Sequence, residues 1–318
     1  MDELLALYQR RASVRKFKPE PLREGDLEKL LFAAQRAPTD ATAQLYSLLR
    51  ISDPALRRAV SAHSGNNPHI ETCAEFFLIL ADTHRLRRLV EHRGGRFGRW
   101  PRTALHFAIT DAVLAGSALA TMAESLGYGI VWVGGVLNGI EEIARLCGLP
   151  PGVVPVAGLC VGVPDETPPP RPRLPRHLVV HENRYQDYAP EALEEGYEAM
   201  APIARGGDWY RLLAHYFTQG GTMEQREPAY RRLTARQGFE PDLPGELAQL
   251  LAERGLPAGS LGELIQAAFA QGFHNLTFRP GHIRVERGAE VYQGEGPPGE
   301  ALARALLLAC SGQARAAE

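Results

Sequence analysis

The stretch Arg11-Ala12-Ser13-Val14-Arg15-Lys16-Phe17 crowds two guanidinium groups, a hydroxyl and an ammonium into seven residues, with Pro19 close behind. An arginine fork presents fixed donors that match phosphate oxygens or the polar edge of a flat ring, a fit that lysine offers less specifically. The plainer reading is a solvated helix end, where cations suit the negative end of the helix dipole. A second basic cluster, Arg171-Pro172-Arg173-Leu174-Pro175, cannot be helical. Gly134-Gly135 follows the apolar run Ile130–Val133, and glycines at a strand end either form a simple turn or let the backbone approach a ligand closely. The sequence contains no Ser/His/Asp or Cys/His arrangement, no His/Cys metal cluster and no phosphate-cradling P-loop. Its glycine-rich segments do not have the Rossmann spacing after a strand.

Together with Pro38-Thr39-Asp40-Ala41-Thr42-Ala43-Gln44, Gly65-Asn66-Asn67-Pro68-His69 and Trp132-Val133-Gly134-Gly135, these two basic clusters resemble the nitroreductase family. The likeness runs in order from about residue 5 to Gln186, more weakly to Phe239, and is nearest to the oxygen-insensitive, NADPH-preferring group A nitroreductases and flavin reductases. It implies an α+β, three-layer sandwich with a mainly antiparallel central sheet and a long buried helix, working as a homodimer with FMN. On that resemblance Arg15 lies at the N1/O2 edge of the flavin and Arg11 at its phosphate. Ala12 and Ser13 flank them, and Arg171 and Arg173 clamp the phosphate. Thr39 bonds the ribityl chain or phosphate, and Asn67 reaches the pyrimidine edge. Trp132 and Val133 lie beside the far face of the ring, and Gly134-Gly135 brings the backbone close to it. The cofactor carries the difficult chemistry, so no catalytic side chain is required. NADPH or NADH binds transiently, delivers hydride and leaves, and a nitroaromatic, quinone or free flavin then takes two electrons. A flavin-binding or partner-interaction module with little turnover is the alternative.

Three positions depart from the family pattern. Ala12 stands where relatives usually carry Arg, and Asp40-Ala41 replaces a Ser-rich stretch. Gln219 occupies the point where group A enzymes place an Arg for the NADPH 2′-phosphate, with Arg226, Arg231 or Arg232 nearby as the substitute. The choice between NADPH and NADH is therefore open.

The elements that must position these residues follow from periodicity. Helix is expected from an Asp2 cap to about Ala12, with Leu4, Leu5, Leu7 and Tyr8 as its apolar stripe. Further helices are expected over Gly25–Ala37, after an Asp53 cap, and over Thr103–Leu126. The last is apolar on most faces and rich in small residues, hence buried, and its lone charge, Asp111, is expected to cap or pair locally. Leu45–Ile51, Glu75–Ala81, Tyr128–Gly134 and Val153–Val163 read as strands, the second as a central one, and Gly139–Cys147 as helix. Glu91–Arg102 mixes Gly, Arg and aromatics, as a surface loop does and as some single-strand nucleic-acid binders do; with no nucleic-acid fold alongside, the loop is preferred. Helices follow over Pro190–Thr218, broken at Gly206-Gly207-Asp208, and over Glu224–Gln237.

The chain divides in this reading into a flavin-binding domain, 1–240, and a small C-terminal α/β appendage, 241–318, of no evident role. The appendage holds helices over Gly245–Gly255, Ser260–Gln271 and Glu300–Cys310, and a hairpin of Asn275–Arg279 and Ile283–Arg287. The 318 residues are 45% hydrophobic and 23% charged, ordinary values for a globular protein. A net charge of -2 gives no global pull toward nucleic acid or an anionic membrane. The N-terminus shows no signal peptide, and no uninterrupted apolar run reaches the ~18 residues of a membrane span. Four scattered cysteines in apolar surroundings read as buried small hydrophobes, which fits a reducing cytoplasm.

Overall fold

A computed structural model describes residues 2–203, 208–239, 251, 254, 256, 261–279, 282–287, 290–295 and 297–310. The chain separates into two compact units, Met1–Arg99 with Thr103–Gly238, and Trp100–Arg102 with Phe239–Glu318.

Unit 1 is organised on four strands: β1 (Tyr46–Arg50), β2 (Glu75–Asp82), β3 (Gly129–Val133) and β4 (Val153–Gly162). They lie in the order β1-β2-β4-β3 and every pairing is antiparallel. All eight residues of β2 are buried, as its unbroken apolar run requires of a strand covered on both faces. Pro155 has no amide to give the ladder, and the β2–β4 register shifts between Ile79 and Leu80, opposite it.

Alternation along the strands sends side chains into two separate cores. Phe77, Ile79, Leu159 and Val161 pack with Leu30 and Ala34 of α2 (Asp26–Gln35) and with Ala112, Ala115 and Leu119 of a long helix, Pro101–Ser125. Phe76, Leu78 and Cys160 pack on the other face with Val60, Ile70 and Ile143. These come from α3 (Pro54–His63), α4 (His69–Thr72) and a helix at Ile140–Leu146. The result is three layers, helix–sheet–helix. Asp53 caps α3 as expected, accepting from the Ala55 and Leu56 amides at 3.2 and 3.0 Å. In chain order α1 is Asp2–Arg10, α5 is His84–His92, α6 is Pro101–Ser125 and α7 is Ile140–Leu146. Then come α8 (Pro190–Met200), α9 (Trp209–Phe217) and α10 (Thr222–Arg236).

Three expectations need correction. The first helix stops at Arg10, and of its apolar stripe only Leu7 is buried; Leu4, Leu5 and Tyr8 face outward. Helix α6 is not covered all round: Val113 and Leu114 remain exposed while its small residues meet the sheet. It is the only described helix long and apolar enough to cross a membrane. Asp111 does not pair locally but reaches backbone 66 and 71 residues away.

Unit 2 is an antiparallel sheet, β5 (Asn275–Arg279), β6 (His282–Arg287) and β7 (Glu290–Glu295), covered on one face by α11 (Leu261–Ala270) and α12 (Pro298–Cys310). Strand β7 was not expected from sequence: Val291-Tyr292 is too short an apolar signal beside glycines to announce a strand. It is admitted because Gly294 has no side chain; a Cβ there would fall 1.7 Å from the Ala301 carbonyl oxygen of α12. The helix expected over Gly245–Gly255 is described only at Leu251 and Arg254. The turn Pro280-Gly281 and the break at Gly206-Gly207 lie outside the described residues, although Asp208 does recap α9 at the Tyr210 amide, 3.0 Å.

Gly116 lets α6 lie tightly against Trp132 of β3. A Cβ at that position would lie 2.5 Å from the Trp132 ring, whereas one at Gly134 would meet nothing within 4 Å. Overpacking of this kind costs about 1–3 kcal/mol. Gly116→Val should therefore lower Tm by several degrees in calorimetry, and Gly134→Ala should leave it unchanged or slightly raised.

Candidate functional site

After α1 the chain extends and is stitched on both sides. Ser13 bridges Ile130 of β3, with the Val14 amide donating to the Ile130 carbonyl at 2.9 Å. Phe17 bridges Pro164 beyond β4, and the Lys18 amide donates to the Val163 carbonyl at 2.9 Å. Two glycines receive the inward side chains: Gly129 lies against Val14 and Gly162 against Phe17, each leaving no room for a Cβ. With Val14 and Phe17 buried, Arg15, Lys16 and Lys18 are turned outward.

Glu166, which sequence gave no reason to single out, takes the Arg15 and Lys16 amides on one carboxylate oxygen at 2.5 and 3.1 Å. The Arg15 amide is the main reason its carboxyl sits below the usual carboxylate range. One carboxylate oxygen is thus occupied by backbone, and among the described residues the Arg15 guanidinium bonds only the Ser13 carbonyl, at 3.4 Å. Arg11 differs: its Nε lies 3.7 Å from Glu124 of α6, whose carboxyl is pushed up by burial and held down in part by Arg11 itself.

The loop between α3 and α4 meets the end of β3. Asn67 donates its side-chain amide to the Ser64 carbonyl, and the Ser61 hydroxyl donates to the Asn67 carbonyl at 3.0 Å. A Cβ on Gly135 would fall 2.3 Å from that Ser64 oxygen and 2.7 Å from the Asn67 amide nitrogen, so only glycine permits this contact. The Ser64 hydroxyl is fully buried with no partner among the described residues. Two residues beyond Asn67, His69 is 8% exposed, and its imidazole is held below its ordinary value first by burial and then by the positive charge of Arg15. Arg15, the 64–69 loop and the Gly134-Gly135 turn therefore share one neighbourhood. Arg226 of α10 joins it through Asn138, whose side chain accepts from Arg226 Nε at 2.7 Å and whose amide donates to the Gly135 carbonyl at 2.9 Å.

The 39–45 loop is built differently. Ala41, Thr42 and Gln44 all have positive φ, a strained choice for residues with side chains. Asp111, 1% exposed, reaches up from α6 and accepts the Asp40 and Leu45 amides, both at 2.9 Å. Arg85 grips the far side of the loop through the Tyr46 carbonyl at 2.7 Å and the Gln44 carbonyl. The Thr39 hydroxyl has no hydrogen bond among the described residues and sits at the mouth of this loop.

The remaining sequence candidates are less tied down. Trp132 and Val133 point to opposite faces of the sheet, Trp132 onto Gly116 and Val133 into the other core, so only their backbone can serve a single flat ligand. Ala12, partly buried, offers no polar side chain. Arg171 and Arg173 lie exposed on the strap that leaves β4 past Glu166, with Arg173 folded back onto the Arg171 and Pro172 carbonyls at 3.1 and 2.9 Å. Gln219 is exposed and bonds none of these groups. No cluster of three metal-ligating side chains occurs among the described residues.

A three-layer α+β unit with unneutralised arginines beside a glycine-lined strand end is suited to a flat, anionic cofactor. The sequence profile of the nitroreductase family matches residues 8–163. The chain is 34% identical to the oxygen-insensitive NADPH nitroreductase of Salmonella typhimurium over 66% of its own length and 87% of that protein's. It is 33% identical to an FMN reductase (NADPH) of Bacillus subtilis, over 58% of this chain and 75% of that one. The solved nitroreductase A of Vibrio parahaemolyticus superposes with a TM-score of 0.67 at 26% identity, covering 75% of this chain and 98% of that one. The chain belongs to the nitroreductase family.

Because His69 in the fold resists protonation, the unfolded chain takes up that proton first as pH falls. Its contribution to stability is complete above its ordinary value of 6.5 and is lost as pH drops below it. Glu124, with its value raised, acts in the opposite sense: its contribution is present below its ordinary 4.5 and lost as pH rises through the folded value. Between about pH 7 and 5 the Tm of His69→Gln should therefore fall less than that of the parent protein, measured by scanning calorimetry.

Proposed function

We propose that this chain is an FMN-dependent NAD(P)H oxidoreductase whose cofactor lies on the Arg15 segment and the Gly134-Gly135 turn. The single observation that carries the site assignment is the free guanidinium of Arg15. The nearby carboxylate, Glu166, takes two backbone amides on one oxygen and forms no ion pair with the Arg15 guanidinium among the described residues, which leaves an exposed cation beside a strand end with open space at Gly134. The relatives named as an NADPH nitroreductase and an FMN reductase (NADPH) support the same chemistry.

When bound, FMN supplies ping-pong hydride transfer, accepting from NAD(P)H and passing two electrons to a nitroaromatic, a quinone or free flavin. The protein's part is electrostatic and geometric. Arg15 would supply positive charge where negative charge gathers on reduction. Ser13 is held on β3 by a backbone bridge, one residue before the buried anchor Val14. Gly134 leaves the backbone open to approach, Gly135 and Asn67 brace the turn on Ser64, and Thr39 offers a hydroxyl with no hydrogen-bond partner among the described residues. Arg171 and Arg173 supply charge for the phosphate. Arg11 has part of its charge taken by Glu124 and is the weaker phosphate ligand of the three.

The outward apolar residues Val113 and Leu114 of α6, with Leu4, Leu5 and Tyr8 of α1, suit burial against a second copy, and a homodimer is part of this reading. The domain boundary falls near residue 240, with 241–318 as an appendage. Free, buried Cys73 and Cys160 fit a cytoplasmic setting.

Purified protein should be yellow. Charge-assisted hydrogen bonds contribute about 1.5–3 kcal/mol each, so Arg15→Ala, and separately the pair Arg171→Ala/Arg173→Ala, should lose flavin on gel filtration. Full retention of flavin absorbance by these variants would overturn the site. In steady-state assays NADPH should be preferred over NADH in kcat/KM by about tenfold, a difference of about 1.4 kcal/mol. Equal values would remove the NADPH preference while leaving the flavin site intact.

A further inference from the structure

The segment that carries the Gly134-Gly135 turn is held from two sides, by the end of α3 and by α10. Against α3 the fit is one of shape. A Cβ on Gly135 would fall 2.3 Å from the Ser64 carbonyl oxygen, and one on Gly139 would fall 2.7 Å from the His63 carbonyl oxygen. Asn138 lies over Gly65, its side-chain nitrogen 2.8 Å from where a Cβ of Gly65 would stand. Gly65 is also left-handed, φ +82°, so a side chain there is opposed by space and by backbone angle alike.

Against α10 the fit is made of directed bonds. Asn138 Oδ1 accepts from Arg226 Nε at 2.7 Å, and the Asn138 amide donates to the Gly135 carbonyl at 2.9 Å. Glu141 of α7 takes Arg232 and Arg236, each at 2.7 Å, and the Gln237 carbonyl accepts the Gly152 amide at 2.9 Å. All of these residues lie in unit 1. The exposed ion pairs of Glu141 dock α10 on α7 and contribute little singly. Asn138 differs in kind, because its side chain is bound to α10 while its backbone is bound to the turn. A guanidinium donating to its amide oxygen makes that link charge-assisted, stronger than a neutral hydrogen bond.

We propose that Asn138 and Arg226 are positioning residues for hydride transfer. Arg226 holds Asn138, and Asn138 holds the Gly135 carbonyl, so the amides of the turn keep one aim. What the turn serves rests on the flavin reading; the clasp itself is a property of the folded chain. Hydride transfer depends steeply on placement, and a shift of about 1 Å can cost about a hundredfold in rate. A loosened turn slows transfer from either donor, whereas a lost phosphate contact affects NADPH alone.

The test compares the parent with Arg226→Ala, Asn138→Ala and the double variant. Hydrogen-exchange mass spectrometry reads the clasp, and stopped-flow reduction of bound flavin by NADH and by NADPH reads its role. In both single variants exchange over residues 134–139 should rise, while the buried strand β2 exchanges as in the parent and shows that the fold is kept. Reduction should slow about tenfold with either donor, and the double variant should be no slower than the singles, because two residues acting as one link are not additive. Asn138→Asp, which keeps the acceptor oxygen, should restore the parent exchange pattern when Arg226 is present. Parent-like exchange at 134–139 in either single variant overturns the clasp, as do additive losses in the double. A rise in KM for NADPH alone in Arg226→Ala, with Asn138→Ala behaving as the parent, also overturns it and makes Arg226 a phosphate ligand. Raised exchange with unchanged reduction rates overturns the positioning role. A colourless parent overturns the flavin reading and the role in turnover with it, and the exchange measurement then decides the clasp by itself.

Discussion

The structure depends on a short extended segment with hydrogen-bonded neighbours on both sides. Residues 13–18 pair with β3 on one side and with the strap after β4 on the other, so a piece of chain with no strand of its own becomes part of the sheet edge. Backbone polar groups must find partners when they leave water, and here they do so on two elements that are far away in sequence. The price is steric. Gly129 and Gly162 must lack side chains for Val14 and Phe17 to seat. Once they are seated, Arg15 and Lys16 are left on the exposed side between two buried neighbours. The electrostatics of the site are thus a consequence of two hydrophobic anchors.

A second layer of control comes from the distribution of carboxylates. A cation useful to a ligand must not already be neutralised by the protein, and the fold handles its arginines unequally. Glu166 sits next to Arg15 yet is satisfied by amide donors, Glu124 draws on Arg11, and Glu141 takes both Arg232 and Arg236 on α10. Which guanidinium groups remain available is set by these local choices, not by the overall charge of -2.

Much of this was legible in the sequence because it rests on strong local signals. The unbroken apolar run of β2, the Asp53 cap and the small-residue helix α6 each announce themselves. So do the basic cluster and the paired glycines. What escaped was whatever depends on tertiary neighbours. Glu166 is an unremarked acid in a proline-rich strap until folding brings the Arg15 amide to it, and His69 acquires its character only from burial beside a cation. Strand β7 is short and interrupted, and becomes a strand because α12 lies on Gly294. The outward face of α1 failed for a related reason: periodicity reports that a helix has an apolar side, not that the same chain covers it.

Asp111 carries a consequence of another kind. It sits deep in an apolar helix and touches no ligand-facing side chain, but through two amides it dictates the path of a loop made of residues that would otherwise avoid such angles. Because both contacts are to backbone amides, the side chains of the loop can change without disturbing the anchor below them. Ligand preference can drift at the rim while its determinant is inherited from the interior, and a survey of mutational tolerance would rank that hidden acid with the groups that meet the ligand directly.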